Sequence, residues 1–206
     1  MSPEELERLL TVLRTDGNRP VCLVALMALA TGMRLSEVTS ARWSDVNRQA
    51  RTLRIAAATS KSKRIRSVPL NDSAIEVLDQ LGTEGQSEYL FVSGKTGAHL
   101  SNIHKVWDRL RKKAELPHLR LHDLRHQYAS FLVNSGRSLY EVQKILGHSS
   151  HSVTERYAHL SSKSLMDAAN TASVMIKGAS AAATTATAEK VVVLDVAVEE
   201  EVRAAA

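Results

Sequence analysis

Residues 121–130 read LHDLRHQYAS and place His122 and His126 four positions apart, with an acid directly after the first. This pattern is close to the zinc signature H-E-x-x-H, in which two histidines on one helical face bind the metal. Arg125 stands between the two histidines, within one helical turn of each. A guanidinium there would repel a divalent cation and attract an anion. The stretch therefore favours a helix that binds a phosphate.

The composition indicates one folded, helix-rich body with a basic surface. The chain has 206 residues, of which 44% are hydrophobic, enough apolar side chain for one well-packed domain. The net charge is +5, yet residues 178–206 hold five acidic side chains against two basic ones, so residues 1–177 carry +8. A basic body of this kind is consistent with a polyanionic partner such as nucleic acid.

The lone cysteine, Cys22, indicates the redox compartment. It cannot form an internal disulfide and lies in the apolar run VCLVALMALA, so we expect a buried thiol in a reducing compartment. That run is about ten residues long, which is too short to cross a bilayer, and the N-terminus has no signal pattern. The sequence therefore predicts a cytoplasmic protein that does not enter a membrane.

Local signals predict a mainly α fold with a small antiparallel β-sheet or hairpin. Ser2, Pro3 and Glu5 form a helix start with a capping box, and Gly32 and Gly147 are expected to end helices. Further helices are expected at 21–30, from 34, at 71–81, 101–114, 121–133 and 138–146, around 157, and at 162–176. Residues 51–70 predict a hairpin with TSKSKR as its turn, and YLFVS at 89–93 predicts a short strand.

The composition changes after Gly178. Residues 1–177 are expected to form the functional domain, and 178–206 an Ala-rich linker followed by a strand-like tail, VVVLDVAVEEEV. This tail is expected either to dock on the body or on a neighbouring molecule, or to be a poorly ordered terminus.

Polar side chains at the predicted element boundaries each have an ordinary structural explanation when taken alone. Arg34 begins a helix and is able to pair with Glu37 three residues later. The cations near residues 61–66 could be a solvated hairpin turn or a patch that contacts phosphates. His148 follows a glycine at a helix end, and Tyr157 could be a half-buried core tyrosine.

Taken together in order and spacing, four blocks resemble the tyrosine recombinases, also called the phage integrase family. The blocks are ATGMRLSEVTSARWSDV, SKSKRIRSVPL, LHDLRHQYAS and LGHSSHSVTERYAHL. The resemblance extends from about residue 3 to about residue 165 and implies the catalytic-domain fold of that family. It also implies a reaction in which a tyrosine attacks a DNA phosphodiester, forms a 3′-phosphotyrosyl bond and releases a 5′-hydroxyl, with no ATP, metal or other cofactor.

The resemblance makes Tyr157 the nucleophile, nine residues after His148. A phenol is mostly protonated at neutral pH, with an ordinary pKa of about 10, so the attack needs a proton acceptor or strong nearby positive charge. Arg34 and Arg125 match the two family arginines, whose planar forks suit the non-bridging phosphate oxygens and stabilise the charge on them.

The other catalytic roles are also implied by the resemblance. Lys61 matches the hairpin lysine that protonates the leaving 5′-oxygen, with Lys63 as the alternative. His122 is the general acid/base or hydrogen-bond donor, and His148 bonds a phosphate oxygen.

The supporting roles complete this set. Glu37 is expected to hold the arginine and histidine in place, and His126 to be a structural neighbour of the site. Three cations are expected to bind DNA: Lys63, Arg64 and Arg66. The zinc alternative, with His122, His126 and His151 as ligands, is disfavoured because the acid is Asp123 rather than Glu and the only cysteine lies in an apolar helix.

The partners implied by the resemblance are double-stranded DNA and other recombinase protomers. Family members usually carry an N-terminal DNA-binding domain before this region, so we expect a catalytic-domain fragment or a minimal recombinase that by itself binds DNA weakly and cleaves slowly. Two alternatives remain, a tyrosine-type topoisomerase and a non-catalytic DNA-binding module. The LGHSS block favours the recombinase, and the complete set of catalytic residue types disfavours the module.

Overall fold

The computed structural model describes residues 1–56, 65–94 and 96–147 together with residues 157 and 170. These residues contain seven α-helices, one short 3-10 helix (Trp43–Asp45) and three short strands. The helices are α1 (Pro3–Thr15), α2 (Arg19–Thr31), α3 (Leu35–Thr39), α4 (Asp72–Asp79), α5 (His104–Lys113), α6 (Leu121–Asn134) and α7 (Leu139–Leu146). The strands are β1 (Val46–Asn47), β2 (Thr52–Ile55) and β3 (Arg66–Pro69). The prediction of a mainly α fold with a small antiparallel sheet is confirmed.

The chain divides into two units, Met1–Leu160 and Ser161–Ala206. All described residues except Asn170 belong to the first unit. The predicted linker and strand-like tail, the tip of the hairpin and, apart from Asn170, the helix predicted at 162–176 lie outside the described residues. The predicted domain limits stay a prediction.

The helix ends follow the capping signals in the sequence. At the start of α1, the Ser2 hydroxyl accepts from the Glu5 backbone N–H at 3.2 Å, and the Glu5 carboxylate accepts from the Ser2 N–H at 2.8 Å. At the other ends, α2 stops at Gly32 (φ +64°) and α7 at Gly147 (φ +66°), both in the left-handed region that glycine adopts without strain. These two glycines fix where the site-forming segments leave their helices.

The three strands form one antiparallel sheet in the order β1-β2-β3. Leu53 pairs with Val68, and both side chains are buried, so one face of the hairpin packs on the core. Ile55 pairs with Arg66, the first residue of β3. The hairpin therefore places Arg66 at the edge of the candidate active site.

The strand predicted at 89–93 is wrong. Tyr89 forms an isolated bridge with Arg42, and Val92 forms another with His99. The apolar side chains of this run are nevertheless in the core, where Leu90 and Phe91 are buried. A continuous ladder does not form, because the backbone bonds of the segment go to two separate loops rather than to one partner strand.

Helix α2 is the centre of the core. It is apolar around its circumference and packs against α1, α3, α4 and α6. A smaller cluster joins α6 to α7 and comprises Ala129, Val133, Val142, Leu146 and Tyr157. The site lies where these two apolar clusters meet.

Within the described ranges, no helix has both the length and the apolar character needed to span a lipid bilayer.

Candidate active site

Helix α6 carries the two histidines and the arginine of the LHDLRHQYAS stretch. Its N-cap is Arg120, whose backbone N–H donates to the Asp123 carboxylate at 2.8 Å, so this acid serves the helix start. His122, Arg125 and His126 follow at spacings of three and four, which places them on one face. The rings of His122 and His126 meet edge to face with centroids 4.8 Å apart.

Arg125 is held rigidly by two backbone carbonyls. Its Nη1 donates to the Gly32 oxygen at 2.6 Å and its Nη2 to the Leu146 oxygen at 2.7 Å, and the residue is only 3% exposed. Burial, and next the neighbouring Arg34, lower the pKa of Arg125 to about 10, so the guanidinium is still a cation at neutral pH. The side chain ties the end of α2 to the end of α7 and fixes one positive charge between them.

Arg34 lies at the N-cap of α3 and is oriented by Glu37. Its backbone N–H donates to Glu37 Oε2 at 2.9 Å, and its Nη1 donates to Oε1 at 3.0 Å. The Glu37 side chain is fully buried, whereas that of Arg34 is 23% exposed. Glu37 is thus a buried anchor, and Arg34 directs part of its guanidinium toward solvent.

Arg66 is a second partner of the same carboxylate. Its Nη2 donates to Glu37 Oε2 at 2.7 Å, and its side chain is 13% exposed. It lies against Gly147, where an added Cβ would come within 2.3 Å of Arg66 Nε. The DNA contact predicted for Arg66 stays a prediction, but the structure gives this side chain a partner inside the protein. The sequence pattern concealed this contact because Arg66 stands beside the cations of the hairpin turn.

The cluster formed by Arg34, Glu37, Arg66 and Arg125, called the pocket below, carries an excess of positive charge. Arg34, Glu37, Arg66 and Tyr157 all lie close enough to Arg125 to act electrostatically on its guanidinium. One carboxylate therefore faces three guanidinium groups. Such a cluster is suited to binding an anion.

Electrostatics also favour neutral His122. Burial, then the neighbouring His126 and Arg125, hold the pKa of His122 below its ordinary value. The imidazole is uncharged at neutral pH and is able to act as donor through one ring nitrogen and as acceptor through the other.

Tyr157 lies in the small apolar cluster, close enough to Arg125 to act electrostatically on its guanidinium. The residue is 7% exposed and packs among side chains of α6 and α7. Its Oη lies 2.5 Å from Nδ1 of His126, within hydrogen-bond distance. We expected His126 to be only a structural neighbour, but it contacts the phenol directly. The i+4 spacing from His122, beside Arg125, was the signal in the sequence that could have indicated this.

Several predicted residues lie outside the described part of the chain: Lys61, Lys63, Arg64, His148 and His151. Their proposed roles stay predictions. Across the described residues, no three His, Cys, Asp or Glu side chains are grouped so as to hold a metal ion.

The fold and site define a mainly helical domain in which three arginines cluster around one buried carboxylate near a tyrosine. Residues 1–164 match the phage integrase family. Tyrosine recombinase XerC of Corynebacterium glutamicum is 32% identical over 150 residues, covering 69% of this chain and 47% of XerC. The chain spans about half the length of the first curated relatives that it matches.

Two solved structures have a similar fold. The catalytic domain of bacteriophage HP1 integrase is 29% identical, with a TM-score of 0.62, over 82% of this chain and 92% of that domain. XerH site-specific recombinase, solved bound to a palindromic difH substrate, is 26% identical, with a TM-score of 0.64, over 82% of this chain and 52% of XerH. The chain belongs to the phage integrase family, which confirms the family predicted from the sequence.

Proposed function

We propose that this chain is the catalytic domain of a site-specific DNA recombinase or integrase. It cuts and rejoins double-stranded DNA through a covalent 3′-phosphotyrosyl intermediate on Tyr157. The similarity to XerC, HP1 integrase and DNA-bound XerH supports this class of reaction.

One observation carries the proposal: Tyr157 lies within electrostatic reach of the buried Arg125, and so does the half-buried Arg34. Arg34 and Tyr157 both act electrostatically on Arg125. A scissile phosphate bound between Arg34 and Arg125 would be positioned beside a hydroxyl nucleophile. The guanidinium forks would then stabilise the charge that builds up on the non-bridging oxygens during attack.

The other groups complete the reaction as the family resemblance implies. Lys61 donates a proton to the leaving 5′-oxygen, and His148 bonds a phosphate oxygen. His122 acts as an acid/base or donor at the same phosphate. The fixed positive charge of the arginines supplies the stabilisation that other phosphoryl-transfer enzymes take from metal ions, so we propose a reaction without metal, ATP or other cofactor.

The partners follow from the reaction. We propose that the chain acts on duplex DNA together with other recombinase protomers, because exchanging strands requires more than one nucleophile. Lys63 and Arg64, and Arg66 beside them, are proposed to lie near the DNA backbone. A cytoplasmic location is proposed from the cysteine usage, which fits a reducing compartment.

A trapped intermediate tests the proposal. Nicked duplexes tiled from the DNA that flanks the encoding gene would be incubated with the chain, so that cleavage near the nick releases a short strand and prevents religation. Denaturing electrophoresis should then reveal a protein–DNA adduct that resists boiling and disappears with protease.

The matched control is Tyr157→Phe, which removes one oxygen and keeps the ring in its apolar cluster. Equal adduct from this variant and the parent would show that Tyr157 is not the nucleophile. Relaxation of a supercoiled plasmid that lacks the cleaved site would indicate the topoisomerase alternative.

A further inference from the structure

His126 makes the direct contact with the proposed nucleophile. Its Nδ1 lies 2.5 Å from Tyr157 Oη, and both residues are held by packed surroundings: His126 on α6, Tyr157 within the cluster formed by α6 and α7. The His122 ring also lies against that of His126, with the two ring planes nearly perpendicular. The geometry therefore joins the phenol oxygen to a group that is able to bind and release a proton.

The neighbouring charged groups are poor proton acceptors. Arg34, Arg66 and Arg125 are cations, and a guanidinium has donors but no acceptor. Glu37 has lone pairs, but its two carboxylate oxygens accept from Arg34 and Arg66. A phenol that forms an ester with phosphorus must lose its proton, so the acceptor has to be a different group.

We infer that His126 is a catalytic residue: in its neutral form, with the ring proton on Nε2, it accepts the phenol proton of Tyr157 at Nδ1 during cleavage. This inference rests on the proposed function. It assigns to His126 a task that the family resemblance left to His122, and it leaves His122 to act on the phosphate.

The step balances in both directions. In cleavage, the Tyr157 proton moves to Nδ1, Oη forms a bond to phosphorus, and the P–O5′ bond breaks. Its electron pair leaves with the 5′-oxygen, which takes a proton from the acid assigned to Lys61. In rejoining, a 5′-hydroxyl gives its proton to the amine assigned to Lys61 and attacks the phosphotyrosyl phosphorus, the P–Oη bond breaks, and the departing Oη takes its proton back from Nδ1 of His126.

The surrounding charges set when this transfer takes place. The titratable and charged groups of the pocket among the described residues are His122, Asp123 and Arg125 on α6, Arg34 and Glu37 at α3, Arg66 on β3, and Tyr157. The cations disfavour a positive charge on the His126 imidazole and favour a negative charge on Tyr157 Oη. The negative charge of an approaching phosphate offsets the repulsion between these cations and a protonated His126. The site is therefore suited to transferring the proton only once DNA is bound.

The kinetic test compares His126→Asn with the parent. The asparagine amide places an oxygen near the former Nδ1 position and is able to accept the phenol hydrogen bond, but it does not take up a proton at neutral pH. We expect adduct formation under single-turnover conditions to fall by about 10²- to 10⁴-fold. The parent rate should level off once the imidazole is neutral, whereas the variant rate should keep rising toward about pH 10, where an ordinary phenol ionises.

A modified substrate separates this role from protonation of the leaving group. A 5′-bridging phosphorothiolate releases a thiolate, which leaves without being protonated. Lys61→Ala should recover activity on this substrate, and His126→Asn should not. If His126→Asn cleaves at the parent rate with the parent pH profile, the inference is overturned. Recovery of His126→Asn on the thiolate substrate would overturn it as well.

A spectroscopic test avoids any dependence on activity. In the ¹⁵N spectrum of the histidine-labelled full chain at neutral pH, Nδ1 of His126 should have the shift of an unprotonated acceptor and Nε2 that of a protonated nitrogen. The Nδ1 shift should change in Tyr157→Phe, which has lost the donor. A neutral His126 with its proton on Nδ1 would overturn the inference. An absence of adduct from the parent on every duplex would instead contradict the proposed function, and the spectrum would still report on His126.

Discussion

Replacing Arg125 with lysine tests whether this guanidinium supports the fold as well as the proposed chemistry. In the parent, its two terminal nitrogens reach the carbonyls of Gly32 and Leu146, at the ends of α2 and α7. A lysine has a single terminal nitrogen, so it cannot reproduce a fork that joins two separate carbonyls. At least one of these backbone oxygens would lose its donor.

The magnitude follows from the burial of that contact. A buried polar group left without its partner costs about 1–3 kcal/mol, and Arg125 is almost completely buried. We therefore expect Arg125→Lys to lower the free energy of unfolding by about 1–3 kcal/mol. The loss of a charge-stabilising fork should reduce adduct formation by about 10²- to 10³-fold in addition.

Urea denaturation measures the first effect and the nicked-duplex assay the second. Arg34→Lys is the matched control, because Arg34 is partly exposed and a lysine there is still able to pair with Glu37. We expect it to lose a similar factor in cleavage but clearly less stability than Arg125→Lys. An Arg125→Lys variant within about 0.5 kcal/mol of the parent stability would refute the structural role derived from the two carbonyl contacts.

Three further predictions concern stability and its pH dependence. The Arg109 guanidinium, 2.6 and 2.7 Å from the Asp16 carboxylate, holds the pKa of Asp16 well below its usual range. The stabilisation by the ionised Asp16 carboxylate is therefore fully present above its unfolded pKa of about 3.9 and is lost as pH falls toward the lower folded pKa. In thermal unfolding, the parent should be more stable than Asp16→Asn at neutral pH, and this difference should shrink in acid. The pKa of His122 is lowered in the folded chain, so the stability that the neutral imidazole contributes is present above the ordinary histidine pKa of about 6.5 and is lost as pH falls below it. His122→Asn should therefore flatten the decline in melting temperature between about pH 7 and pH 5. Gly32→Ala, at φ +64° and with its new Cβ only 2.4 Å from Tyr128 Cδ1, should lower the free energy of unfolding by more than about 1 kcal/mol in urea titrations, and an unchanged midpoint would contradict the packing described at this helix end.

The parts of the fold that local chemistry determines were predictable from the sequence. Ser2 and Glu5 cap α1 as expected, and Gly32 and Gly147 end their helices, because each signal acts over a few residues. The strand predicted at 89–93 was wrong because an apolar run indicates burial without indicating which backbone groups will pair with it.

The candidate site shows the same limit at longer range. The family resemblance indicated that Arg34, Arg125 and Tyr157 belong together, and in the structure both Arg34 and Tyr157 lie within electrostatic reach of Arg125. The contact between Arg66 and Glu37 links residues 29 apart, and that between His126 and Tyr157 links residues 31 apart. Helical and strand periodicity relate only residues a few positions apart within one element, so these pairs are seen only in the packed fold.

The charge balance of the pocket links its stability to its function. Glu37 is a single carboxylate among three guanidinium groups, and burial lowers the pKa of both Arg66 and Arg125, which means that the folded chain holds their charges at a cost. The negatively charged oxygens of a DNA phosphate placed between Arg34 and Arg125 would offset that cost. The uncomplexed fold therefore carries an electrostatic strain that the substrate relieves, and the attraction that relieves it should strengthen as the phosphate gains negative charge in the transition state.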